Sequence, residues 1–90
     1  MDVGYARWAG LDVHKATVVA WVRSPGLRAE TRPAETQTLA TTRRGLAALA
    51  AWRTAHAVTH VAMESTGVYW RPVFAVLEGT VQVQLVNARQ

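Results

Sequence analysis

From Thr41 onward the hydrophobic pattern runs helix, strand, helix, strand, and this grammar restricts the fold more than any other feature of the chain. Thr41 and Thr42 precede RRGLAALAAWRTAHA, in which Leu46, Leu49, Trp52 and His56 recur at helical spacing. Threonine caps a helix start well, so a helix is predicted to begin there. Residues 58–63 (VTHVAM) alternate as a strand, with Val58, His60 and Ala62 on one face and Thr59, Val61 and Met63 on the other, ending at Glu64. Ser65, Thr66 and Gly67 then form a turn before residues 68–77 (VYWRPVFAVL), where Tyr69, Val73, Val76 and Leu77 mark an amphipathic helix. Pro72 is tolerated only in a first turn, which places the helix start near Tyr69. Gly79 closes that helix, and residues 81–86 (VQVQLV) alternate as a last strand.

Ahead of this alternation lie two runs rich in β-formers, residues 7–13 (RWAGLDV) and 16–23 (ATVVAWVR), separated by His14 and Lys15 as a tight hairpin turn. Residues 24–33 (SPGLRAETRP) read as a loop, and residues 35–41 (ETQTLAT) as a third strand at a sheet edge. The order is strand, strand, strand, helix, strand, helix, strand, without internal repeats. Two crossovers after a meander predict an α/β fold with a five-stranded mixed sheet. Its first strand is central, antiparallel to the second and parallel to the fourth and fifth.

At 90 residues and 9.9 kDa the chain holds one domain, and a hydrophobic content of 50% suffices for a core. It has no cysteine, which excludes a disulfide framework, a thiolate metal site and a thiol nucleophile. No stretch is long and apolar enough for a membrane span and the first residues are not laid out as a signal peptide, so a cytoplasmic location is the expectation. A net charge of +4 favours an anionic partner such as nucleic acid. Lys15 is the single lysine among ten Lys and Arg residues, an arginine excess suited to bidentate phosphate contacts and equally produced by coding bias.

Asp12 falls near the end of a buried strand, where aspartate is disfavoured, with Lys15 as the evident partner in sequence. Glu64 stands at the carboxyl end of another strand. Ligands of open α/β sheets gather outside the carboxyl ends of parallel strands, so neighbouring first and fourth strands would bring both acids to one end. Two adjacent carboxylates repel, and a divalent cation resolves the conflict; oxygen donors suit Mg²⁺ or Mn²⁺. Such sites ordinarily use three or four acids, and Asp2, Glu30, Glu35 and Glu78 are poorly placed to be a third. In the plainer alternative, Asp12 caps a turn and Glu64 is a solvated strand end.

GLDVHK at 10–15 and AMESTGVYWRPVF at 62–74 resemble the N-terminal catalytic domain of the insertion sequence 110, or DEDD, transposase family. The likeness continues through TTRRGLAALAAW at 41–52, THVAMES at 59–65 and LVNAR at 85–89. It implies a RuvC-type ribonuclease H fold with four metal-binding acids, of which the first Asp matches Asp12 and the Glu matches Glu64. The two remaining Asp belong to a segment after the LVNAR strand, so residues 1–90 are expected to be a truncated N-terminal domain. The resemblance further implies a metal-dependent DNA recombinase of a mobile element, guided by a bridge RNA and forming a homo-oligomer. Its serine-bearing C-terminal domain lies outside this chain. Two other readings stand beside it. One is an inactive nucleic-acid-binding remnant. The other is a nucleotide domain of the sugar-kinase or actin type, against which the LDVHK turn lacks a Gly-rich phosphate loop.

Several further residues are candidates for nucleic-acid contact. Arg43 and Arg44 stand at a helix start, where cations oppose the macrodipole, and Lys15 lies in the turn beside Asp12. Amides after Gly67 can receive a phosphate, and Tyr69 or Trp70 can stack on a base. Each also has an ordinary reading as a solvated or packing residue. Ser65 and Thr66 are expected to cap a helix rather than act as nucleophiles, and Trp8, Trp21 and Trp52 are assigned to packing.

Overall fold

The computed structural model describes residues 6–23 and 36–86. The expected loop at 24–33, the first residue of the expected third strand, the acids Asp2, Glu30 and Glu35, and the end of the LVNAR stretch lie outside them. Seven elements follow in the anticipated order: β1 (Trp8–Val13), β2 (Thr17–Val22), β3 (Gln37–Ala40), α1 (Arg43–Ala55), β4 (His60–Ser65), α2 (Trp70–Leu77) and β5 (Gln82–Val86). The sheet order is β3-β2-β1-β4-β5, with β1 antiparallel to β2 and parallel to β4, and β4 parallel to β5. β1 is therefore central and β3 an edge strand, as its mostly exposed residues require.

Both crossovers, β3 to β4 through α1 and β4 to β5 through α2, step the same way across the sheet. A common hand then puts both helices on one face. Ala9, Leu11 and Val13 of β1, Val18 and Ala20 of β2, and Val61 and Met63 of β4 alternate toward that face. They meet Leu46 and Leu49 of α1 and Val73 and Leu77 of α2 in one core. The opposite face carries Trp8, Gly10 and Asp12 of β1 beside Trp21 and Val19 of β2 and His60, Ala62 and Glu64 of β4.

The tryptophans divide between these faces. Trp52 and Trp70 pack on the core, whereas Trp8 and Trp21 pack on the sheet face away from the helices. Trp8 lies against His60 with ring centroids 4.9 Å apart, and the indole of Trp21 crosses Gly10.

Four local expectations are corrected. The first hairpin turns at Lys15 and Ala16, because His14 still pairs with Thr17 through an amide-to-carbonyl bond of 2.8 Å. β4 starts two residues later than its hydrophobic run. The Val58 amide donates to the Arg53 carbonyl at the frayed end of α1, after Ala57 has turned left-handed at φ 54°, so the backbone straightens only at His60. At its other end, Ser65 is the last residue of β4, not part of the turn. Finally, neither Ser65 nor Thr66 caps α2, whose N-cap is Tyr69 with no side-chain cap bond; the buried Ser65 hydroxyl donates to the Thr66 carbonyl at 3.2 Å.

Candidate metal and nucleic-acid site

The parallel pairing of β1 and β4 sets Asp12 opposite Glu64 in register. Register partners project from the same face, and neighbouring strands are about 4.8 Å apart, so two acids remote in sequence share one patch. They do so on the helix-free face, at the carboxyl ends of both strands. Leu11 and Val13 on either side of Asp12, and Met63 and Ser65 on either side of Glu64, are buried on the other face and lock this orientation. The Asp12 side chain keeps 26% of its surface exposed, and Glu64 is exposed. A cation can reach both without crossing the core.

His14 joins Asp12 from beyond the strand end, with Nε2 3.3 Å from Oδ1. The sequence reading offered Lys15 as the partner of Asp12 and passed over His14. The signal was the spacing itself, because residues two apart in an extended segment share a side.

The other candidates converge on the same end of the sheet. Lys15 is exposed in the β1–β2 turn. Its carbonyl accepts the Thr41 hydroxyl at 2.9 Å, and the Ala16 carbonyl accepts the Thr41 amide at 3.0 Å. These bonds tie the start of α1 to the turn beyond Asp12, where Arg43 and Arg44 are exposed as the first two helical residues. The Thr66 amide donates to the Val13 carbonyl at 3.2 Å, tying the turn after Glu64 to the end of β1. Gly67 in that turn has φ 55°, a conformation that favours glycine, and Tyr69 is 38% exposed at the start of α2. Both helices thus direct their amino ends, the positive poles of their dipoles, toward the carboxylate end of the sheet.

Two glycines that shape this region escaped the sequence reading. A Cβ on Gly10 would collide with the Trp21 indole, coming within 2.9 Å of Nε1. A Cβ on Gly45 would run into the Ala40 carbonyl, so only glycine lets the first turn of α1 lie against the end of β3. A glycine inside a strand or a helix is the available signal for such close approach.

The donor set tests whether a metal suits the patch. Among the described residues no group of three or more His, Cys, Asp and Glu is clustered as a metal site. The Asp12–Glu64 pair supplies hard oxygen donors, which fit a divalent cation that retains several waters and takes further ligands from phosphate. The pair fits as part of a coordination shell.

A five-stranded mixed sheet of this order with two helices on one face, and acids at the ends of β1 and β4, is consistent with a ribonuclease H-like domain. Comparison at the level of families specifies it further. The model of the DEDD family of insertion sequence 110 type, described as "Transposase", matches residues 9–90, and the chain belongs to that family. No curated protein matches the chain. Transposases of this family act on DNA and depend in general on divalent metal. No helix among the described residues is long and apolar enough to cross a membrane.

Proposed function

We propose that this chain forms the first half of a DEDD catalytic centre, in which Asp12 and Glu64 hold a divalent cation, Mg²⁺ or Mn²⁺, for DNA strand cleavage and transfer. The observation that carries this reading is the register of Asp12 with Glu64 on adjacent parallel strands. A bound divalent cation supplies charge neutralisation and Lewis acidity at phosphate oxygens. The chain's own residues do the rest. Asp12 and Glu64 stand side by side in register on adjacent strands, and Lys15, Arg43 and Arg44 attract the phosphodiester backbone. Gly67 gives the turn after Glu64 its left-handed backbone, and Tyr69 offers a ring for stacking.

The family resemblance assigns the remaining two acids to a segment following the LVNAR strand and a serine nucleophile to a separate domain. The proposal therefore places the complete reaction in a longer cytoplasmic transposase that is a homo-oligomer and takes a bridge RNA. A second reading is a nucleic-acid-binding remnant without catalysis, in which the exposed Lys15, Arg43 and Arg44 hold nucleic acid without a metal.

Fluorescence anisotropy with labelled DNA and RNA separates the two. Binding strengthened by Mn²⁺ and dependent on Asp12 and Glu64 supports the catalytic reading. Salt-sensitive binding that ignores both the metal and Asp12→Asn with Glu64→Gln supports the remnant.

A further inference from the structure

We infer that His14 is a positioning residue for Asp12, holding its carboxylate in the orientation that meets the metal. The inference rests on the proposed role of Asp12 as a metal ligand. His14 Nε2 lies 3.3 Å from Asp12 Oδ1, a polar contact between imidazole and carboxylate. The backbone beneath this contact is held firmly. The His14 amide donates to the Thr17 carbonyl at 2.8 Å, and Thr41 bonds to the next two carbonyls, those of Lys15 and Ala16. Val13, between Asp12 and His14, is fully buried. The hairpin end therefore cannot roll, and the imidazole stays on the same side as the carboxylate it meets.

Carboxylate ligands are commonly oriented by such outer partners, whose loss weakens metal affinity by about 10- to 100-fold. The His14 side chain is 47% exposed, so its removal leaves the core intact.

Calorimetric titration of Mn²⁺ into the chain and into His14→Ala, His14→Gln and Asp12→Asn tests the assignment. His14→Ala is expected to weaken Mn²⁺ binding about 10-fold or more at an unchanged melting temperature. His14→Gln, whose amide can donate in place of Nε2, is expected to recover most of the loss. Pulsed electron paramagnetic resonance of the Mn²⁺ complex is expected to show no nitrogen directly coordinated from His14. The inference is overturned if Asp12→Asn abolishes binding while His14→Ala leaves it unchanged, or if the spectrum shows His14 as a ligand. If Asp12→Asn itself leaves Mn²⁺ binding unchanged, the underlying metal reading fails as well.

Discussion

Gly10 shows how much a single residue decides in this sheet. It lies two positions before Asp12 on the same face, and the Trp21 indole crosses it where any side chain would stand. Gly10→Ala forces the indole off the strand, and overpacking of this kind costs about 1 to 3 kcal/mol. Chemical denaturation is expected to show a loss of that size, with a change in Trp fluorescence as the indole moves. Retained stability and an unchanged emission spectrum would contradict the packing described. Ala57 presents the converse case. It occupies a left-handed conformation at φ 54°, where a Cβ costs about 1 to 2 kcal/mol. Ala57→Gly is expected to raise the melting temperature, the reverse of the usual penalty for glycine.

At the scale of elements, α1 carries two features that helix propensity alone would remove. Gly45→Ala stabilises an ordinary helix by about 1 kcal/mol. Here the added methyl meets the Ala40 carbonyl at the end of β3, so the substitution is expected to destabilise the domain, as a thermal melt would reveal. Arg43 and Arg44 oppose the dipole in a first turn that contains no acid. Replacing both with Glu is expected to stabilise the fold by a few tenths of a kcal/mol while weakening DNA binding. A stability gain with unchanged DNA affinity would assign these arginines to a solvated surface.

The elements were legible where periodicity and punctuation agree. Thr42 accepts the Gly45 amide at 3.1 Å as the N-cap of α1, Pro72 falls in the first turn of α2, and Gly79 follows its end at φ 87°. Legibility failed where backbone bonding overrides side-chain character. Val58 has the side chain of a strand residue and is fully buried, yet its amide belongs to the helix end. Trp8 and Trp21 are apolar enough for a core, and only the register reveals that they line the helix-free face.

For the whole molecule, topology creates the site. Asp12 and Glu64 were recognisable as misplaced acids at strand ends, and their union depended on β1 and β4 being parallel neighbours. Hydrogen bonds from Thr41 and Thr66 gather the ends of both crossovers around that pair, a convergence that no local pattern encodes. The spacing of His14 from Asp12 likewise becomes a contact only because the hairpin turns at Lys15 and Ala16, which leaves His14 extended beside the strand end. If Arg43 and Arg44 each neutralise a phosphate, replacing both with Ala lowers the slope of log affinity against log salt by about 2, measured with duplex DNA. An unchanged slope would remove them from the interface.

The central claim is that Asp12 and Glu64 act together on a divalent cation, and calorimetric titration of Mn²⁺ into the chain tests it most directly. The account predicts a binding heat that disappears in the Asp12→Asn, Glu64→Gln double variant while its circular dichroism spectrum and melting transition persist. Binding of Mn²⁺ to the folded double variant with undiminished affinity would contradict it.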